Sequence, residues 1–238
     1  PRQIVATYDY KDESGTLLFQ KIRYDAAAKK RGEGFSQRAA DGTATLDGIR
    51  RVVFRLPELK GHPAILYCEG EKDVDRAWAL GIPATCGPNG SSDWQDIYSQ
   101  QIQAAGVERV AVIPDNDLPG KKHASAVALS LTAAGIAVRV VELPDLASHG
   151  DLSDYLDAGH TKADLMALVR AAPIWVRPVV VVEPEPRTFR VLGEQRYMLQ
   201  MHPEGIVLEV SRLRRSSQEL IGELLVRVNG SFPRARTF

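Results

Sequence analysis

Two patterns in this chain of 238 residues predict an α/β fold built on a parallel sheet. From about residue 63, short apolar runs alternate with stretches of helical length, the order that covers both faces of a parallel sheet with helices. Acidic residues then follow where three of the apolar runs end: Glu69, then Asp115 with Asp117, then Asp151 with Asp154. Carboxylates at the C-terminal ends of buried parallel strands converge on one rim of the sheet, where ligands bind in such folds.

The elements follow in order. Residues 1–61 read as a basic, β-rich lobe. Ile4–Tyr10 and Leu17–Tyr24 flank the polar turn Asp12-Glu13-Ser14-Gly15, which predicts a hairpin. A loop carrying Lys29, Lys30, Arg31 and Arg38 comes next, and a third strand is expected through Val52, Val53 and Phe54. Residues 62–172 read as the parallel-sheet domain. A strand at 64–68 leads to a helix over roughly 73–80. A short strand at 83–86 is followed by the loop Gly87–Ser92 and a helix near 93–105. A strand at 109–114, an Ala/Leu-rich helix over 120–134, a strand at 136–142 and a helix over 161–172 complete the domain. Residues 173–189 contain Pro173, Pro178, Pro184 and Pro186 around a valine run and read as a linker. Residues 190–238 read as a small β-containing segment, the start of a further domain, with strands near 197–201, 205–210 and 223–228.

Composition excludes several classes. Apolar residues make up 44% and charged residues 25%, values ordinary for a water-soluble globular protein. No apolar run approaches the roughly 18 residues of a membrane span. No signal-peptide pattern opens the chain, and Pro1 in place of a start Met reads as a fragment. Cys68 and Cys86 fall in or beside apolar strands, as buried thiols of a reducing cytoplasm do, and two cysteines without CxxC or HxxxH argue against a zinc site built within the chain. The net charge of zero conceals a gradient. Residues 1–61 hold 12 Lys/Arg against 8 Asp/Glu, residues 62–176 hold 8 against 15, and residues 177–238 hold 10 against 7. An acidic middle between basic flanks suits a cation-binding centre with phosphate-contacting surfaces beside it.

The acidic segments carry the chemistry. In Cys68-Glu69-Gly70-Glu71-Lys72-Asp73, Gly70 permits a sharp strand-to-helix turn, so that Glu69 projects from the strand end. Glu71 and Asp75, by contrast, suit an acidic bias that complements the helix dipole. In Pro114-Asp115-Asn116-Asp117-Leu118-Pro119-Gly120, two aspartates one residue apart share one side of an extended segment. An EF-hand is excluded, because Ala126 stands where that loop needs a bidentate Glu. Gly150-Asp151-Leu152-Ser153-Asp154 carries an N-cap and capping-box signature, and its place at a third strand end also fits a ligand role. Hard oxygen ligands gathered on one rim suit Mg²⁺ held together with substrate phosphates.

Taken together, Glu69-Gly70, Asp115-x-Asp117 and Asp151/Asp154 resemble the acidic motifs of the Toprim domain, found in primases, topoisomerases and certain nucleases. The basic lobe, with Leu17–Asp25, is similar to the one preceding Toprim in phage and prophage primase–helicases, and the resemblance covers residues 4–172. It implies a Toprim-like sheet and a DNA primase core making short RNA primers on single-stranded DNA from ribonucleoside triphosphates. Glu69, Asp115 and Asp117 would hold Mg²⁺ or Mn²⁺, with Asp151 and Asp154 contributing directly or through water. Lys21, Arg23, Lys29, Lys30 and Arg38 would contact template or triphosphate, and Lys72 and Lys122 would reach phosphates from helix starts. A replicative helicase or helicase domain is the implied partner, and the chain carries neither a Cys-rich zinc module nor a phosphate loop of its own. Two other readings stay open: a Toprim-type nuclease using the same cations, and a non-catalytic nucleic-acid-binding module.

Overall fold

The computed structural model describes residues 3–25, 34–90 and 93–176, together with the backbone of four strands between 187 and 227. The chain divides into two compact units, Pro1–Arg177 and Pro178–Phe238.

In the first unit, β1 (Ile4–Lys11), β2 (Leu17–Tyr24) and β3 (Phe35–Ala39) form an antiparallel sheet in that order. The β1–β2 turn is tied by Asp12, whose Oδ1 accepts from the backbone N–H groups of Ser14 and Thr16, while Gly15 takes a φ of 88°. Tyr10 and Phe19 lie opposite each other across the pair and stack with ring centroids 4.5 Å apart. Phe54 packs beside them, 5.4 Å from Tyr10.

The third strand is therefore Phe35–Ala39, and Val52–Phe54 is not a strand. That apolar run is buried, but its backbone groups are satisfied by other means. The Gln101 side chain accepts from Val53 N–H at 3.0 Å and donates to the Arg51 carbonyl at 2.9 Å. Phe54 N–H donates to the Cys86 carbonyl at 3.0 Å, and Thr85 Oγ1 donates to the Phe54 carbonyl at 2.7 Å. One glutamine amide thus stands in for a neighbouring strand, which hydrophobicity alone does not reveal.

The parallel sheet has the order β5-β4-β6-β7, from β4 (Ala64–Tyr67), β5 (Ala84–Thr85), β6 (Arg109–Val112) and β7 (Ala137–Val140). The helices are α1 (Glu71–Ala79), α2 (Asp96–Ala104), α3 (Leu118–Ala133), α4 (Leu152–Asp157) and α5 (Lys162–Ala171). Helix α2 packs on α3 and α1 packs on α4. The strands are short apolar runs buried on both faces, as a covered parallel sheet requires. Chain order matters here: β4 leads outward to β5, whereas its neighbour β6 leads the other way to β7. The carboxyl ends of β4 and β6 therefore flank a topological switch point, the crevice where open α/β sheets bind ligands.

The antiparallel sheet and the parallel sheet contribute to one apolar core, in which Tyr10, Phe19 and Phe54 join Tyr67, Val74 and Ile102. The second unit is a four-stranded antiparallel sheet, order β11-β10-β9-β8, from β8 (Arg187–Val191), β9 (Gln195–Met201), β10 (Val207–Leu213) and β11 (Leu220–Arg227). Strand β8 begins inside the expected linker. The alternation Arg187-Thr188-Phe189-Arg190-Val191 has the period of a strand, which the nearby prolines obscured. The Val179–Val182 run lies outside the described residues. Among the described residues, no helix is long and apolar enough to cross a membrane.

Replacing Gln101 with Leu strands the Val53 N–H and the Arg51 carbonyl. Urea denaturation is expected to show a loss of about 1–3 kcal/mol, the cost of leaving such groups unpaired. A loss below the error of the measurement would contradict the clamp.

Candidate active site

Glu69 and Asp115 leave the sheet at the ends of neighbouring strands, and the structure joins them directly. Glu69 Oε1 accepts from the Asp115 backbone N–H at 3.2 Å. The first turn of α3 presses against both. A Cβ on Gly120 would lie 2.6 Å from the Asp115 carbonyl oxygen and 2.7 Å from Glu69 Oε1, so only glycine fits there. Asp117 starts that helix: its Oδ1 accepts from Gly120 N–H at 2.7 Å.

The cleft beside this junction has a volume of about 280 Å³, and its acidic lining residues are Glu69, Glu71, Asp73, Asp115 and Asp151. Lys21, Arg23 and Lys72 face the same space. Crowding leaves its mark on the acids. Burial, then the charges of Glu69, Asp73, Asp151 and Asp117, push the Asp115 carboxyl up to about 7. Burial also raises Glu69, against the opposing hydrogen bond from Asp115, and Asp117 and Asp73 raise it further. Burial raises Asp73 although Ser153 hydrogen-bonds to its charged form. Burial alone would depress Lys72, but its bond to Asp151 and the neighbouring acids raise it above its ordinary value.

The expected five-carboxylate ligand set is not assembled as one cage. Asp117 spends both oxygens elsewhere, Oδ1 on the helix cap and Oδ2 on His149 Nδ1 at 2.6 Å. Both partners hold its carboxyl below the usual range, Gly120 N–H most strongly. Asp151 accepts from Lys72 Nζ at 2.6 Å through Oδ2 and from Asp154 N–H at 2.9 Å through Oδ1. Asp154 is exposed and closes the capping box of α4 by accepting from Asp151 N–H. Its capping duty, legible in the sequence, accounts for its position. Among the described residues, no three His, Cys, Asp or Glu side chains are grouped to hold a metal ion by themselves. The chemistry of the rim still fits Mg²⁺, which keeps most of its water and needs only one or two carboxylates plus substrate phosphates. Among the described residues, Asp115 has no side-chain hydrogen bond, and Glu69 Oε2 has no partner.

The basic residues divide. Lys21 is buried and pairs with Glu71 Oε1 at 2.7 Å, an oxygen that also accepts from Tyr10 Oη at 2.5 Å. Arg23 lines the cleft and lies 5.8 Å from the Phe35 ring. Arg38 donates through Nε to Gln20 Oε1 at 2.8 Å and, like the exposed Lys122, is not among the described residues lining the cleft. Lys29 and Lys30 lie outside the described residues.

Sequence reasoning missed Asp73, Glu71, Gly120 and His149. Asp73 is nearly fully buried and is held by Ser153 through both its N–H and its Oγ, at 2.9 and 2.5 Å. Lying four residues after Glu69 across the Gly70 cap, it was available to the same rim. Glu71 had a signal in its partner: Lys21 shares a strand face with the core residue Phe19, so a buried acid had to meet it. His149 takes a positive φ of 65°, and nothing in its local sequence announces a bond to Asp117.

No protein-family model matches the chain, and no curated protein matches it in sequence. Solved structures do resemble it. The zinc-binding and RNA polymerase domains of the Aquifex aeolicus primase align with a TM-score of 0.55 and 17% identity over 71% of this chain and 40% of that one. A DNA primase domain from Pseudomonas aeruginosa aligns with a TM-score of 0.55 and 17% identity, over 71% of this chain and 51% of that one. The chain has a bacterial primase-type fold. The alignments span about two fifths and one half of those two chains.

The raised Asp115 sets a pH dependence. The folded protein keeps the Asp115 proton up to about pH 7, whereas the unfolded chain releases it near 3.8. The folded state binds the extra proton between those values, so this stabilisation is complete below the lower one and is lost as pH rises through the upper. Glu69 and Asp73 act in the same direction. Without divalent cations, the melting temperature is expected to fall between pH 5 and pH 8, and Asp115→Asn is expected to flatten that slope. A wild-type slope equal to that of Asp115→Asn would refute the crowding.

Proposed function

We propose that this chain is the catalytic core of a Toprim-type DNA primase of the phage or prophage class, a metal-dependent nucleotidyltransferase that makes short RNA primers on single-stranded DNA. The observation that carries this reading is the meeting of Glu69, Asp73, Asp115 and Asp151 at the switch point between β4 and β6, in a fold shared with bacterial primase domains. Buried carboxylates that drive one another's pKa upward are unfavourable unless a proton or a cation relieves them. Near neutral pH, a divalent cation entering with the triphosphate would supply that relief.

Glu69 and Asp115 would hold Mg²⁺ or Mn²⁺, with Asp73 and Asp151 placed to bind its water and Asp117 able to join by releasing the exposed His149. When bound, the cation neutralises triphosphate charge and makes an attacking 3′-hydroxyl more acidic. The protein's own contribution is position. Lys72, on the first turn of α1, would exchange Asp151 for a phosphate oxygen, and Arg23 would meet the triphosphate from the opposite wall. Lys21, fixed by Glu71, which Tyr10 holds in turn, presents a cation that cannot swing away. No covalent protein nucleophile is required, because phosphoryl-type transfer is catalysed by alignment and charge neutralisation. Single-stranded template, ribonucleoside triphosphates and a replicative helicase are the proposed partners, with the cytoplasm as the compartment. The flanking piece 1–61 is proposed as a substrate-gripping lobe, and 190–238 as a separate small β unit.

The test is direct. The protein is incubated with single-stranded DNA, labelled ribonucleoside triphosphates and Mg²⁺ or Mn²⁺. Template-dependent oligoribonucleotides are expected, abolished by chelation and reduced at least about 100-fold by Glu69→Gln or Asp115→Asn, the scale of losing a principal charge-stabilising group. Shortened DNA in place of new oligoribonucleotides would assign the same site to nuclease chemistry.

A further inference from the structure

One face of the parallel sheet carries residues that helix packing alone does not call for. Strands covered on both sides read as unbroken apolar runs. Yet Arg109 opens β6, and Arg139 lies within β7. By the strand period and the register, Arg109, Ala111, Ala137 and Arg139 share one face, with Ala64 and Leu66 of β4 beside them. The three alanines fill little space, and a cavity of about 340 Å³ lies between these strands and α5. Ala64 and Arg109 begin the strands whose opposite ends release Glu69 and Asp115. The cavity is therefore separate from the acidic cleft and shares no lining residue with it.

Its lining is of two kinds. Ile65, Leu66, Val110, Met166 and Val169 belong to walls in which, among the described residues, no side chain carries a hydroxyl, amide or carboxylate. The rest of the lining is three arginines, Arg109, Arg139 and Arg170. Arg109 and Arg170 are exposed, Arg139 is half-buried, and none of the three forms an ion pair among the described residues. Arg139 Nη1 reaches the Arg170 carbonyl at 3.5 Å, a weak contact that leaves its charge unmet. Beyond α5 the chain turns back along β7, where Trp175 N–H donates to the Val138 carbonyl at 2.7 Å. This sets Ile174 at the cavity with 60% of its surface exposed. A hydroxyl, amide or base edge placed among such walls would go unpaired, so nucleotides and peptides are poor occupants. An unbranched alkyl chain has nothing to pair, and a carboxylate matches the fork of a guanidinium. The volume falls at the small end of the range for ligand pockets.

We propose that this cavity binds a soluble amphipathic anion, a medium-chain alkyl carboxylate, with its chain between α5 and the sheet and its carboxylate on Arg139, flanked by Arg109 and Arg170. The aliphatic walls would select for chain length and the arginines for the anionic head. The site lies at the far end of the strands from the carboxylate rim, and binding there needs neither a divalent cation nor primer synthesis. It stands whether or not the primase reading does.

Binding is measured by isothermal titration calorimetry in EDTA, using the full chain and decanoate below its micelle concentration. Octanoate, butyrate and decanol are titrated beside it. Saturable binding of one decanoate per chain is expected, with octanoate about 15-fold weaker, the share of two methylenes, and no detectable binding of butyrate. Arg139→Gln should weaken decanoate about 10-fold or more, the scale of a charge-assisted hydrogen bond, and leave decanol unchanged. Retained decanol binding also shows that the variant folds. No saturable decanoate binding, octanoate bound as tightly as decanoate, or an equal loss of decanoate and decanol in Arg139→Gln overturns the proposal. Co-sedimentation with phosphatidylglycerol vesicles that decanoate does not compete away also overturns it, since that would make this face a membrane contact.

Discussion

The hydrogen bond from the Asp115 backbone N–H to Glu69 Oε1 is the constraint on which the rest of the site depends. It ties the exit of β6 to the exit of β4, and the contact of Gly120 with both residues allows α3 to start immediately beside them. Once those two chain segments are fixed, the carboxylates cannot spread apart to relieve their repulsion. Ser153 then holds Asp73 against the same space, and the start of α4 brings Asp151 to it. Electrostatic strain of this kind is tolerable only where the surrounding structure over-determines it, and here two strand ends and two helix starts do so.

The antiparallel sheet is attached to this rim by a different device. Lys21 of β2 and Tyr10 of β1 both reach Glu71 on the first turn of α1. Glu71 is almost fully buried and Lys21 nearly so, with only its edge on the cleft. Removing one partner of such a pair leaves the other uncompensated, at a cost of about 3–5 kcal/mol. The pairing has a geometric consequence. It brings the Phe35 ring, Lys21 and Arg23 of the antiparallel sheet to the edge of the acidic cleft. A cleft with carboxylates on one wall and cations on the other can receive a cation and a polyanion together.

Much of this was legible in the sequence because it depends on period and position. Strands β4, β6 and β7 are apolar runs of the right length, and helical stretches separate them, so the parallel sheet followed directly. Glu69 and Asp115 were legible because each follows such a run. What was not legible depends on side chains reaching across the fold. Val52–Phe54 is as apolar as a strand but is paired by the Gln101 amide, a contact spanning 48 residues. Asp117 and Asp115 looked equivalent two residues apart, yet one caps α3 and meets His149 while the other faces the cleft. Asp151 and Asp154 satisfied two patterns at once, strand-end acid and capping box, and only the packing assigned the second chiefly to the cap.

Asp115, crowded by the other carboxylates at the β4–β6 switch point, holds a proton that a divalent cation is proposed to replace. Calorimetric titration with Mn²⁺ near pH 6.5, in two buffers of different ionisation enthalpy, counts the protons released on binding. With Asp115 at about 7, close to one proton should leave for each cation bound by the wild type, and Asp115→Asn should release far less. Cation binding without proton release, or equal release from the wild type and Asp115→Asn, would contradict the account.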